Sequence, residues 1–228
     1  MSILIGIITF ISTVLIYLAS RKLYQKVPNP FLLPVLPSTA FLVAILLIFH
    51  IPYETYMVGG KWIDWFLGPG VVALAYPLYK NWEILKRYSV SILIGVFVGA
   101  VIGVSTGLLL AKWVSFDEAI IYSIIPKNST TPIAMEVATT LGGVSSMAAV
   151  FVMIAGIGGA ILGPFVLKWS GIHHFLGRGI GFGSASHAIG TSKAMENSEQ
   201  EGAISTVAMT VSAIMVSIVS PILVYFLY

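Results

Sequence analysis

Residues 125–143 carry the side chains in this chain that are best suited to binding a small anion. The stretch has the sequence IPKNSTTPIAMEVATTLGG and lies inside a long apolar region. Polar side chains on broken backbone persist at membrane depth only where protein buries them or where they line a water-filled cavity. We therefore interpret the stretch as half of a binding site for a small anion. Its candidate binding residues are Lys127, Asn128, Ser129, Thr130, Thr131 and Glu136.

The prolines of this stretch predict where its backbone breaks. Neither Pro126 nor Pro132 fits an unbroken helix, because proline removes a backbone donor and clashes with the preceding turn. Thr131 is a suitable N-cap before Pro132, and a glycine pair follows Leu141. A short helix is therefore predicted from Pro132 to about Leu141. Its free N–H groups and positive dipole end would favour an anion beside Asn128. The alternative is a proline-kinked helix whose hydroxyls bond to its own backbone.

A second polar cluster lies in residues 179–193, which have the sequence GIGFGSASHAIGTSK. Ser186 could cap a helix that begins at His187, which would present a second set of inward N–H groups. His187 could bind a carboxylate or carry a proton, and the alternative is a packing histidine with satisfied hydrogen bonds. The candidate binding residues in this cluster are Ser184, Ser186, His187 and Thr191.

Three glutamates follow this second cluster. We interpret Glu196, Glu199 and Glu201 as a solvated loop, and Glu196 could alternatively pair with Lys193 across one helical turn.

Composition indicates the class of protein. The chain has 228 residues, of which 57% are hydrophobic and 9% charged, against about 25% charged in an ordinary soluble domain. This composition predicts an all-α, polytopic membrane protein embedded in a lipid bilayer. The net charge of +3 comes from basic residues that lie mostly at the ends of apolar segments, where membrane topology explains them. Nucleic acid is therefore not an expected partner.

Several kinds of chemistry have no support in the sequence. The chain has no cysteine, and its histidines and acidic residues lack the spacing of metal ligands. No phosphate-binding P-loop is present, so this chain alone is not expected to use ATP. No nucleophile and base are suitably placed, since the neighbours Ser186 and His187 would not face each other on a helix. We therefore expect neither an enzyme nor a bound cofactor or metal.

The apolar pattern predicts one membrane domain, 1–228, with about seven or eight membrane segments. Basic residues after the first span place its end on the cytoplasmic side, and residues 50–61 are expected to form an external loop. The domain divides into halves 1–113 and 114–228, each with discontinuous or re-entrant segments. Such pairs are typical of secondary transporters with inverted repeats. The predicted breaks are at Gly68, Pro69, Gly70, Pro77, Pro126, Pro132, Gly183 and Gly190.

Glycines at every fourth position mark one face of the span that begins near Ser89. Gly95, Gly99, Gly103 and Gly107 form a small-residue stripe, which allows helix backbones to approach closely. We interpret the stripe as a packing surface rather than as a binding site.

Four of these segments together resemble the LrgB/CidB family of bacterial membrane proteins. They are LGPGVVALAYPLYKNW at 67–82, IPKNSTTPIAMEVA at 125–138, GIGGAILGP at 156–164 and GSASHAIGTSKAMENSEQEGAIS from Gly183. The similarity covers nearly the whole chain. Asn128 and Ser129 differ from the motif of the family, and we expect this difference to affect which ligand is bound rather than the fold.

This resemblance implies two alternative functions in the bacterial cytoplasmic membrane. Family members are described as antiholin-like proteins in murein hydrolase export and autolysis, usually beside a smaller LrgA/CidA-type membrane protein. Members similar to this chain transport pyruvate with that partner, and a plastid relative exchanges glycolate and glycerate. The resemblance thus implies transport of small monocarboxylates such as pyruvate, glycolate or lactate, with a small membrane partner. The chain could also assemble with copies of itself.

Overall fold

A computed structural model describes residues 2–29, 32, 34–73 and 75–228 of the chain. The regular structure within these residues is helical, as the composition predicts. The helices are α1 (Ser2–Lys26), α2 (Val35–Ile48), α3 (Tyr53–Asp64), α4 (Leu67–Ala73), α5 (Ala75–Lys80), α6 (Trp82–Trp113), α7 (Glu118–Ile124), α8 (Thr131–Leu141), α9 (Ser145–Trp169), α10 (Phe175–Asn197) and α11 (Glu199–Leu227).

Four helices in the described part of the chain are long and apolar enough to cross a membrane. They are α1, α6, α9 and α11, and α2 is a shorter apolar helix. At 1.5 Å per residue, about 20 residues cross the roughly 30 Å hydrocarbon layer of a bilayer. Their outward faces carry many exposed large apolar side chains, which a lipid environment would cover. The chain is therefore a multi-pass membrane protein.

The described residues form two compact units, one up to Gly70 and one from Val71 onward. In the first unit, α3 packs closely against α1. A Cβ added at Gly59 would meet the carbonyl group of Gly6 and the hydroxyl of Thr9, so a larger residue would push the two helices apart. The prediction of a loop over residues 50–61 was wrong, because α3 begins at Tyr53. Packing against α1 overrides the weak helix propensity of its glycine pair.

The segment after α3 is interrupted, although the helices include the residues predicted as breaks. Gly68, Pro69 and Gly70 lie in α4, and Pro77 lies in α5. Both prolines are in the first turn of a short helix, where the missing N–H has no intrahelical partner to lose. They therefore mark the beginnings of helices. Residue 74, between α4 and α5, lies outside the described residues.

The second unit is built around α11. Its residues contribute to two buried apolar clusters, each shared with α6. The cluster nearer the start of α11 includes Ile204 and Val207, and the other includes Val216. Helix α6 belongs to this unit because it packs with the helices that follow it.

Glycines on α9 let α10 approach it closely. A Cβ at Gly163 would lie 2.7 Å from the ring of Phe182, and one at Gly156 would lie 2.7 Å from Nε2 of His187. A Cβ at Gly159 would overlap the hydroxyl of Ser186 and lie 2.8 Å from its Cβ. The residues predicted to bind an anion on α10 therefore pack directly against α9.

Replacing Gly159 by alanine should destabilise the protein, because the new methyl group would collide with Ser186. Overpacking of this kind costs about 1–3 kcal/mol. The neighbouring variant Gly158→Ala is the matched control, since nothing lies within 4 Å of a Cβ at that position. It should gain up to about 1 kcal/mol from the better helix propensity of alanine. Thermal melting of the two variants in detergent should therefore shift in opposite directions, and equal melting temperatures would contradict this packing.

Candidate anion-binding site

Helices α7 and α8 form a hairpin. After α7 ends at Ile124, residues 125–130 form a turn and α8 begins at Thr131. A Cβ at Gly143, just after α8, would lie 2.8 Å from the backbone nitrogen of Ser123, and the Val144 N–H donates to the Ser123 hydroxyl at 2.8 Å. The two ends of the hairpin thus lie side by side. The bounds of α8 agree with the predicted helix, except that Thr130 rather than Thr131 is its N-cap.

The tip of this hairpin lies beside the middle of α6. The Lys127 ammonium donates to the Gly103 carbonyl at 2.7 Å, and the Asn128 amide nitrogen lies 2.8 Å from the Cβ position of Gly103. Helix α6 is one of the four helices long and apolar enough to cross a membrane, and Gly103 lies near the centre of its apolar part. The N-terminal end of α8 therefore opens inside the protein, beside the centre of that helix.

Two hydroxyls at the N-terminal end of α8 are buried without a hydrogen-bond partner. Ser129 is 1% exposed and Thr130 is 7% exposed, and neither hydroxyl oxygen has a partner among the described residues. This differs from Thr139 and Thr140 on the same helix, whose hydroxyls donate to backbone carbonyls one turn earlier. Leaving a buried hydroxyl unpaired costs about 1–3 kcal/mol. The alternative, in which these hydroxyls bond to their own backbone, does not hold for Ser129 and Thr130.

The charge next to these hydroxyls is positive. In the described part of the chain, the side-chain ion pairs are Lys86–Glu83, Arg178–Glu201 and Lys193–Glu196, so Lys127 has no carboxylate partner there. Ionisable groups within the membrane are costly and are usually functional. The dipole of α8 adds to the positive field at its N-terminus. This environment favours an anion over a cation.

Helix α10 also forms a hairpin, because its backbone is interrupted at one residue near its middle. Arg178 near its start and Asn197 at its end both donate to Glu201, at 2.9 and 2.8 Å. In a straight helix these two residues would be about 28 Å apart. A Cβ at Gly190 would lie 2.7 Å from the carbonyl oxygen of Phe182, which also requires a sharp turn between them.

The turn of this hairpin is at His187. Its backbone angles are φ 41° and ψ −134°, a left-handed region that residues other than glycine rarely adopt. Its ring lies 2.9 Å from the Val152 carbonyl oxygen of α9, a contact that holds the turn against that helix. Gly183 and Gly190 were wrongly predicted as the breaks. They lie on the two helical arms, because glycine is needed there for close approach rather than for turning.

The remaining candidate binding residues of α10 differ in their hydrogen bonds. The Ser184 hydroxyl donates to the Ile180 carbonyl at 2.7 Å, and the Thr191 and Ser205 hydroxyls are 2.9 Å apart. Ser186 is buried against Gly159 of α9. Of the candidates on this helix, Thr191 and His187 therefore bond to neighbouring helices, whereas Ser184 bonds to its own.

The two hairpins pack against neighbouring positions of α6. The Ser184 hydroxyl lies 3.2 Å from the Cβ position of Gly99, and the Asn128 amide nitrogen lies 2.8 Å from that of Gly103. Residues four apart on a helix have Cβ positions about 5–6 Å apart. The glycine stripe on α6 is a packing surface, as predicted, and the segments packed on it are the two polar ones. α9 leads from the base of one hairpin to the base of the other, so the hairpins enter from opposite ends of that span.

Two candidates on α8 lie outside this buried cluster to different degrees. Thr131 is half-buried at the first position of the helix. Glu136 is exposed, on the face opposite the buried Ala134, Val137 and Ala138. Lys127, Asn128, Ser129 and Thr130 are therefore the residues that the structure gathers at the tip.

The interpretation of Glu201 as part of a solvated loop was wrong. Its side chain is 5% exposed and pairs with Arg178, whereas Glu196 does pair with Lys193 at 2.7 Å, the alternative considered for it. The spacing of Ser198 and Glu201 was an available signal, since serine followed three residues later by glutamate marks a helix start. The Glu201 N–H indeed donates to the Ser198 hydroxyl, which places the carboxylate in the first turn of α11.

Comparison with known proteins shows that the chain belongs to the LrgB-like family, whose model matches residues 13–226. It is 52% identical to YxaC of Bacillus subtilis, over 97% of this chain and 96% of that protein. It is 40% identical to YwbG of the same organism, over 98% of this chain and 99% of that protein. The holin-like protein CidB of Staphylococcus aureus is 36% identical, over 98% and 97% of the two chains. No solved structure matches the chain.

Replacing Glu201 by alanine should open the base of the α10 hairpin. It leaves the mostly buried Arg178 guanidinium without its carboxylate, and breaking a buried pair in this way costs on the order of 3 kcal/mol. The melting temperature of the protein in detergent should fall by roughly 5–10 °C.

Glu196→Ala is the control for this variant, because it breaks an exposed pair with a typical value of about 0–1 kcal/mol. Equal melting of the two variants would contradict a structural role for Glu201.

Proposed function

We propose that this protein is a secondary transporter, or the transport subunit of one, for small monocarboxylates such as pyruvate, glycolate or lactate. The observation that carries the proposal is the pair of buried, unpartnered hydroxyls of Ser129 and Thr130 beside Lys127. A carboxylate would accept hydrogen bonds from these hydroxyls and from the first N–H groups of α8. The ammonium of Lys127 would supply the positive field.

The second hairpin would close the site from the other side. The segment of α10 after His187 begins a new helical run, and its first N–H groups have no carbonyl one turn earlier in the same run. Ser184, Ser186 and Thr191 would complete this wall. The substrate would then lie between two helix N-termini near mid-bilayer, the arrangement in which discontinuous helices of transporters bind anions. Thr131 and Glu136 would act at the entrance rather than in the buried cluster.

The opposite entry of the two hairpins supports an inverted arrangement of membrane segments. With the first-half segments, seven or eight would enter the bilayer, and the breaks near Pro69 and Pro77 would be the counterparts of those in the second half. Basic residues near the base of α10, including Lys168, Arg178 and Lys193, support an orientation in which that end would face the cytoplasm of a bacterium.

A second candidate function rests on the CidB relatives, which are named holin-like proteins. On that hypothesis the chain is an antiholin-like regulator that acts with a small LrgA/CidA-type membrane protein in murein hydrolase export and autolysis. The polar clusters would then serve helix packing or assembly with that partner or with further copies of this chain. The unpaired hydroxyls at the α8 N-terminus favour the transporter, because assembly contacts would not require them to stay unpaired.

Changing Thr130 to valine should impair transport without impairing folding. Its hydroxyl makes no capping hydrogen bond to α8, so its loss should not weaken the helix. A hydrogen bond to a charged ligand is worth about 1.5–3 kcal/mol, or roughly tenfold to a hundredfold in affinity. Uptake of labelled pyruvate and glycolate should be measured in liposomes containing this protein, with and without a small membrane partner.

The matched control is Thr140→Val, which removes an exposed hydroxyl on the same helix and should leave uptake unchanged. Saturable uptake by the wild type that Thr130→Val weakens supports the transporter. No uptake under either condition, together with altered autolysis in cells lacking the protein, supports the regulator.

A further inference from the structure

Two further buried hydroxyls without a partner among the described residues, those of Ser212 and Ser220, lie on α11, in addition to those of Ser129 and Thr130. Ser212 is 1% exposed, and its Oγ has no hydrogen-bond partner among the described residues. Nearby hydroxyls on the same helix behave differently. Thr206 donates to the Gly202 carbonyl at 2.8 Å, and Thr210 donates to the Thr206 carbonyl at 2.9 Å. Ser212 has the same option in its own helix and does not use it.

The contacts between α10 and α11 place Ser212 at the level of the α10 turn. A Cβ at Gly179 would lie 2.7 Å from the Ile204 side chain, and one at Gly183 would lie 2.9 Å from the Ala208 Cβ. The first arm of α10 and helix α11 therefore run in the same direction, and a step of four residues on one matches a step of four residues on the other. The same step leads from Gly183 to His187 and from Ala208 to Ser212.

Ser212 also lies on the face of α11 that contacts α10. The residues around Gly183 are Ser205, Ala208 and Met209, and positions three, four and seven further along a helix lie on the same stripe. Ser212 occupies these positions relative to Met209, Ala208 and Ser205. The α10 backbone breaks where this stripe reaches Ser212, so the hydroxyl faces the turn rather than a helical arm.

The other hairpin approaches the same part of α11. Val216, one turn beyond Ser212 on the same stripe, is fully buried in an apolar cluster with Ile121 and Ile125. Ile125 begins the turn that carries Asn128, Ser129 and Thr130. Ser212 therefore lies between the level of the α10 turn and that of the α8 N-terminus.

We infer that Ser212 is a ligand-binding residue, whose hydroxyl donates to the carboxylate held at the two hairpin tips. This assignment rests on the proposed transport function and adds α11 as a third wall of the site. The hydroxyls of Ser129, Thr130 and Ser212 then have one common partner. Their lack of partners among the described residues then has one explanation.

The test is binding of pyruvate and glycolate to the purified full chain by titration calorimetry, comparing wild type with Ser212→Ala. The dissociation constant of the variant should rise by about 10-fold or more for at least one of these acids, because one donor to the anion is lost. Its melting temperature without ligand should not fall, since the hydroxyl has no partner to lose. Ser212→Thr, which keeps a hydroxyl, should retain more affinity than Ser212→Ala.

Ser220→Ala is the matched control. Ser220 is on the same helix, is equally buried and also has no partner for its hydroxyl, but it lies two turns from Ser212, beyond Val216. It should bind like the wild type. An equal loss in Ser220→Ala would overturn the assignment, because removal of any buried hydroxyl from α11 would then have the effect.

A second readout uses the absence of cysteine from the sequence. A single Ser212→Cys substitution should react with a small methanethiosulfonate reagent more slowly when pyruvate or glycolate is present. If Ser212→Ala binds the acids as tightly as the wild type, or if neither acid slows the labelling of Ser212→Cys, the role of Ser212 is overturned. The proposed transport function is not affected by either result. A wild type that binds neither acid would overturn the proposed function, and this assignment with it.

Discussion

The constraint on which this structure depends is that backbone polar groups cannot be left open to lipid. Both α10 and the α7–α8 segment are interrupted inside the membrane unit, and each interruption exposes N–H groups that need a partner. The protein meets this constraint by surrounding the interruptions with α6, α9 and α11. Glycines at the contacts, such as Gly103 and Gly159, make that enclosure tight. The proposed site for a small anion rests on this enclosure of two helix ends with some of their donors unsatisfied.

The two hairpins are stabilised differently, and this difference separates structure from function. The α10 hairpin is closed at its base by Glu201 and at its turn by the contact of His187 with Val152. The α7–α8 hairpin has its hydrogen bonds at the base, at Ser123, while the hydroxyls at its tip are unpaired. Polar groups that maintain the fold are thus satisfied, whereas those at the α8 N-terminus are available to a ligand.

The sequence predicted the bounds of α8 well because proline and glycine act locally. Pro132 and the glycine pair after Leu141 determine where α8 begins and ends with little help from the rest of the chain. The α10 turn was less predictable, since it occurs at His187 rather than at either glycine, and only contacts with α9 hold a histidine in that conformation. The pairing of Glu201 with Arg178 was also hidden, because it depends on a hairpin that brings the ends of α10 together. Ser212 has no distinguishing sequence signal in an apolar helix, and its burial appears only in the folded structure.

The most direct test of the central claim is chemical cross-linking between the two hairpin tips. A cysteine pair at Asn128 and Ser184, introduced into the cysteine-free chain, should be joined by a short bifunctional thiol reagent in the membrane. A pair at Thr140 and Ser184 should not, because Thr140 is exposed near the far end of α8. Pyruvate or glycolate should slow the cross-linking of the Asn128–Ser184 pair. Failure of the Asn128–Ser184 pair to cross-link while both single cysteines remain reactive would contradict the enclosed site.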